Sequence, residues 1–126
     1  MGEGTFVEVG IMEFQEKGIL VFTTVPSVEY AGDITTALIS RKLAACVSTL
    51  SEVHSTYWWE DHVEESSEIL LMVKTFDRFF DEIADVINDI HPYDVPEIIA
   101  TPVARIHGPY AQWMNKVIKP DVNKEY

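Results

Sequence analysis

The chain has 126 residues, 47% of them hydrophobic and 24% charged, which is the composition of one folded domain. Twenty-one acids against nine Lys and Arg give a net charge of −12, a balance that argues against phosphate-rich partners such as nucleic acid and against an anionic membrane surface. The single cysteine, Cys46, excludes an internal disulfide, and no apolar run approaches the roughly 18 residues of a membrane-spanning helix. The opening MGEGTFVEVG carries acids where a secretory signal carries Lys or Arg, and Phe6 stands where a myristoylation motif has Ser or Thr. The expectation is a soluble, cytoplasmic protein with no nucleic-acid or membrane partner.

Residues 1–18 form a separate acidic extension, in which Phe6, Val7, Val9, Ile11, Met12 and Phe14 suit either an added edge strand or a loose segment. Ile19 to Val25 is a β-rich run stopped by Pro26, apolar enough to be covered on both faces. Ser27 offers an N-cap to a helix carrying Tyr30, Ile34, Ala37 and Leu38 on one stripe through Leu43. Ala44 to Trp59 alternates as one long strand, and Val63 to Thr75 follows as its hairpin partner, with no Asn-Gly or Asp-Gly to mark a tight turn. Phe76, Phe79, Phe80, Ile83, Val86, Ile87 and Ile90 recur at helical spacing, with Thr75 as cap and His91-Pro92 as stop. Ile98 to Ile106 reads as a strand with Pro102 at an edge or bulge. Gly108-Pro109 opens a last short helix, and residues 119–126 read as a polar tail.

The order β-α-β-β-α-β with one added C-terminal helix predicts an α+β, ferredoxin-like fold over residues 19–118. A hairpin arm of about 15 residues at ~3.3 Å each spans ~50 Å, whereas a domain of this size has a radius of gyration of ~14 Å. The arm therefore bends or projects, and its tip, Tyr57-Trp58-Trp59, is too apolar for water. A neighbouring subunit covering that tip makes the chain a homo-oligomer.

His91-Pro92-Tyr93-Asp94-Val95-Pro96-Glu97 places an imidazole and two carboxylates in seven residues stiffened by two prolines. Imidazole with carboxylate suits copper, zinc or nickel; equally, His91 ends the preceding helix and bonds locally. Cys46 reads as a small buried hydrophobe. Lys74, at a strand end, serves either an anion or an ion pair with Glu97. Tyr57, Trp58, Trp59, Tyr93, Tyr110 and Trp113 suit a ligand pocket or an interface. No phosphate-cradling GxxxxGK[ST], GxGxxG or GxSxG motif occurs, and no grouping resembles a catalytic triad.

Lys42-Leu43-Ala44-Ala45-Cys46-Val47, Tyr57-Trp58-Trp59-Glu60, Glu64-Glu65 leading to Leu71-Met72-Val73-Lys74-Thr75, and His91-Pro92-Tyr93-Asp94-Val95-Pro96-Glu97-Ile98, followed by Tyr110 and Trp113, together resemble the CutA-type divalent-cation tolerance proteins. The resemblance covers residues 19–118. It implies a ferredoxin-like fold assembled as a homotrimer, similar to the PII-type signalling proteins, and a non-enzymatic part in tolerance of divalent metal ions. It further implies copper(II) or another divalent cation as a weakly held ion, with His91 and Glu97 as the metal-facing residues. Tyr57, Trp59, Lys74, Tyr93, Pro96 and Trp113 would line an inter-subunit cleft, with Lys74 orienting Glu97 or an anion. Thr23 stands where some members carry a copper-linked Cys, and Ile90 where some carry a His. Ser51-Glu52 replaces a usual Pro-Gly, and Asp61 replaces a usual Gly at the hairpin turn. A PII-like small-molecule sensor using the same cleft and a structural trimeric hub are the alternative readings. Residues 60–97 hold twelve acids and two bases, so most of the negative charge lies on the hairpin turn, the amphipathic helix and the prolyl loop. There it favours solubility and leaves Glu97, ahead of Asp94, as the acid suited to ligation.

Overall fold

A computed structural model describes residues 16–120. The elements are β1 (Gly18–Val25), α1 (Val28–Ser40), β2 (Cys46–Trp59), β3 (His62–Phe76), a 3-10 turn (Asp77–Phe79), α2 (Phe80–Ile90), β4 (Ile99–Pro102) and α3 (Gly108–Val117). The four strands form one sheet in the order β2-β3-β1-β4, with every neighbouring pair antiparallel. The fold is α+β. β1-α1-β2 crosses over β3, and β3-α2-β4 crosses over β1, so the two halves interleave.

Alternation along β1 and β3 sends Val21, Val25, Leu71 and Val73 to one face, where Ile34 and Leu38 of α1 and Ile83 and Ile87 of α2 meet them, all fully buried. Met114 and Ile118, at the end of α3, close the same core. The opposite face of β1 carries Leu20 and Phe22 only half-buried. The expected cover on both faces is thus present on one face only within a protomer.

The helix signals act as read, with one exception. Ser27 caps α1 by accepting from the Tyr30 N–H at 3.3 Å. At its other end the Lys42 N–H donates to Ile39 O and the Leu43 N–H to Leu38 O, both at 3.0 Å. This is a Schellman closure with Leu38 and Leu43 buried together. Its left-handed position is occupied by Lys42, φ 59°, where glycine is usual. Thr75 does not cap the α2 region. It is fully buried in β3, and its hydroxyl donates to the Leu43 carbonyl at 2.7 Å, while extended Phe76 precedes the 3-10 turn with no side-chain cap.

The long hairpin divides at a register shift between Ser51 and Val53. Cys46–Ser51 pair with Ile69–Lys74 over the core, and Val53–Trp59 pair with His62–Glu68 as a projecting arm. Glu60 (φ 49°) and Asp61 (φ 71°) form the turn, both left-handed, as a two-residue type I′ connection requires. Asn-Gly chemistry is the usual signal for such a turn, and here two acids adopt it.

β4 is shorter than the expected Ile98–Ile106. It pairs with β1 only from Ile99 to Pro102, opposite Phe22 to Ile19, and Pro102 has no N–H to carry the ladder on. The extension and tail fall largely outside the described residues. Of their ends, Gly18 opens β1, and Lys119 donates its N–H to Lys42 O and its ammonium to Glu82 at 3.0 Å.

Candidate functional site

The prolyl loop is anchored at its first residue. His91 ends α2 in an extended conformation forced by Pro92. The residue is 7% exposed: Nε2 donates to the Thr24 carbonyl at 2.7 Å, and Nδ1 accepts from the Tyr93 N–H at 3.2 Å. A carbonyl only accepts, so the proton sits on Nε2 and both nitrogens are occupied by backbone. His91 was expected as a metal-facing residue. Its geometry instead makes it a clamp that ties the loop to β1, with no lone pair left for an ion.

The clamp packs Tyr93 against the His91 ring in a tilted pair, centroids 4.6 Å apart, and its phenol reaches β3. There the hydroxyl donates to Glu68 at 2.8 Å. Glu68 is only 4% exposed. Burial, then the hydrogen bond to Glu68 and its negative charge, push the Tyr93 phenol well above its ordinary range, so it remains a neutral donor.

Around this pair lies a cleft of about 880 Å³ between the hairpin arm and the prolyl loop, within the usual size of ligand sites. Tyr57, Trp59, Tyr93, Val95 and Pro96 supply apolar surface, and Glu64, Glu68, Asp94 and Glu97 supply four carboxyl groups with no Lys or Arg among the lining residues. The Tyr57 phenol is fixed by Ser66 at 2.9 Å. Partial burial, then repulsion from Glu68, raise the Glu97 carboxyl above the ordinary carboxylate range. A pair of acids sharing a partly dry cleft favours any cation that relieves their repulsion. Among the described residues, however, no group of three or more His, Cys, Asp or Glu is placed to hold a metal ion within one protomer.

Of the residues expected in one cleft, Tyr57, Trp59, Tyr93, Pro96 and Glu97 come together. Within one protomer, Lys74 and Trp113 lie outside this cleft. The Lys74 ammonium donates to Ser48 at 3.0 Å and lies 3.7 Å from the Cys46 sulfur, so it orients neutral partners of β2 rather than Glu97. Trp113 packs against Tyr110 in a tilted pair, 5.3 Å between centroids, along α3. Sequence reasoning missed Glu68 and Glu64. A signal existed for Glu68: an acid directly abutting the apolar run Ile69–Val73 in a strand is carried into the buried zone with it.

The family model described as "CutA1 divalent ion tolerance protein" matches residues 19–117, which runs from β1 through α3 and includes the whole cleft. This chain belongs to the CutA1 family. The CutA1 fold is matched as closely in space. The CutA1 structure from Shewanella sp. SIB1 superposes with a TM-score of 0.80 at 36% identity, covering 85% of this chain and all of that one. The CutA1 structure from Oryza sativa gives 0.81 at 35%, covering 84% and 97%. Among curated relatives, the divalent-cation tolerance protein CutA of Thermus thermophilus is 40% identical over 97 residues, 77% of this chain and 94% of that one. Human protein CutA is 38% identical over 96 residues, 76% of this chain, which spans about half the length of the human protein.

Proposed function

We propose that this CutA1 chain serves divalent-cation tolerance as a non-enzymatic, cytoplasmic homotrimer of ferredoxin-like subunits, holding a divalent cation weakly in the acidic cleft. The observation that carries this reading is the convergence of Glu68 and Glu97 beside the Tyr93 phenol, one carboxylate buried and the other raised in pKa by its own partial burial and then by Glu68. Oxygen donors accept many divalent ions, and the general affinity order places copper(II) above the others for the same ligands. Copper(II) is therefore the first candidate. With Glu68 and Glu97 alone converging, no third ligating residue beside them among the described residues and no free imidazole, one protomer supplies an incomplete set, in keeping with weak binding; water or a neighbouring subunit completes it.

The trimer rests on the arm. Trp58 is 74% exposed, and Tyr57, Trp59, Val63 and Leu50 are exposed with it, a concentration of apolar surface that a monomer would not leave in water. Calorimetric titration of the full chain with copper(II) and zinc tests the cation. Saturable binding weakened by Glu97→Gln and by Glu68→Gln is expected. Heat that does not saturate, or is untouched by both substitutions, removes the proposal.

A further inference from the structure

A second cavity, about 420 Å³, lies at the other end of the sheet, between the starts of β1 and α3. Its lining includes Lys74, Arg105 and His107, and no acid. In a chain with only nine Lys and Arg against twenty-one acids, that local reversal of sign is a specific feature. The Lys74 ammonium is spent on neutral partners, Ser48 and Cys46, and three donors on one nitrogen leave capacity for another acceptor. Among the described residues, the ion pairs are His62–Glu64, Arg78–Glu16 and Lys119–Glu82, so no described carboxylate neutralises Lys74, Arg105 or His107. His107 is also the N-cap of the ten-residue α3 and makes no side-chain capping bond, so the positive end of that helix borders the cavity that His107 and Tyr110 line. The remaining wall is apolar, with Ile19, Ile106 and Met114.

We propose that this cavity binds a small organic carboxylate, its charge met by Arg105 and Lys74 and its apolar body laid on Ile19, Ile106 and Met114. An inorganic anion satisfies the cations but leaves the apolar wall wet. A neutral apolar molecule leaves the cations without a partner. Only an anion with a hydrocarbon or aryl body uses both halves. Within one protomer the site shares no lining residue with the acidic cleft, and its test does not depend on cation binding there.

The probes are phenylacetate and octanoate, with phenylacetamide and inorganic phosphate as controls, titrated into the full chain by calorimetry and by amide NMR. Saturable millimolar or tighter binding of the carboxylates is expected, shifting the Gly18, Ile106 and Gly108 amides. Arg105→Ala should weaken it at least about tenfold, the loss of one charge-assisted hydrogen bond, and Glu97→Gln should leave it unchanged. Gly18→Ala provides a variant that keeps every charge. A Cβ there would lie 2.7 Å from Ile106 Cδ1, so the Ile106 side chain must swing and reshape the apolar wall, and weaker binding is expected. Absence of saturation, phenylacetamide binding as well as phenylacetate, phosphate binding equally at the same amides, or shifts confined to the acidic cleft would each overturn the proposal.

Discussion

The Tyr93 phenol and the Glu68 carboxylate meet at 2.8 Å across the gap between the prolyl loop and the centre of the hairpin. One bond thus joins a loop held by His91 to a buried acid that has no other described side-chain donor. Tyr93→Phe removes that donor and leaves Glu68 unsatisfied in a dry position. A loss of about 1–3 kcal/mol is expected in chemical denaturation. In the Tyr93→Phe/Glu68→Leu double variant the second change should cost less than Glu68→Leu alone, and strict additivity would show that the two groups do not interact.

Glu97 sets a pH dependence of definite sign. Its folded-state pKa is raised by partial burial and by Glu68, so in the window above the ordinary carboxylate pKa the folded state holds more protons than the unfolded one. Its contribution to stability is fully present below that ordinary value and is lost as pH rises through the folded value. Glu97→Gln should therefore stabilise the chain at neutral pH and lose that advantage in acid. Denaturation midpoints for both chains measured from acid to neutral should diverge as pH increases. Cation uptake at the cleft should follow the opposite trend, falling in acid as protons occupy Glu97.

Of the three left-handed non-glycine residues among those described, Lys42, Glu60 and Asp61, the first and last mark sites for stabilisation. Lys42 closes α1 at φ 59° and Asp61 closes the hairpin at φ 71°, at opposite ends of β2. Lys42→Gly and Asp61→Gly should each raise stability by roughly 0.5–1 kcal/mol, the left-handed penalty less the entropy of glycine in the unfolded chain. Their separation makes the double variant additive. A lower thermal midpoint for either would refute the strain argument at that position.

The arm predicts its own assembly. Static light scattering should return about three times the chain mass of 14.3 kDa, and Trp59→Glu should shift it to a smaller species by placing a charge among apolar contacts. A monomer mass for the unmodified chain would leave Trp58 and Trp59 unexplained and sink the trimer.

The helices and strands were readable because their signals are local. Ser27, the Phe76–Ile90 stripe, the alternation of β2 and the Gly108-Pro109 start all report neighbours a few residues away. β4 failed at its end because the length of an edge strand depends on its partner, and β1 offers only Ile19 to Phe22. The same distinction separates the site residues. Tyr57, Trp59, Tyr93, Pro96 and Glu97 were recoverable because they sit on two continuous motifs. His91 was placed in the site but turned away from it, since the Thr24 carbonyl that claims its Nε2 lies 67 residues earlier and leaves no trace in the local sequence. Lys74 was drawn to Glu97 by charge alone, whereas strand register puts it opposite Cys46.

The two borders of the sheet are unequal. β4 presents four residues and ends in proline, a margin on which another strand finds little to hold, while β2 offers fourteen. A lone protomer therefore invites backbone pairing from one side only, and any chain that joins there extends the sheet in a single direction. The acids along that margin and its turn, Glu52, Glu60 and Asp61, work against identical copies stacking on it, since like charges repel. Near pH 4.5, where the net charge vanishes, that repulsion weakens, and the protection against fibrous growth falls increasingly to the proposed trimer, which would cover the margin.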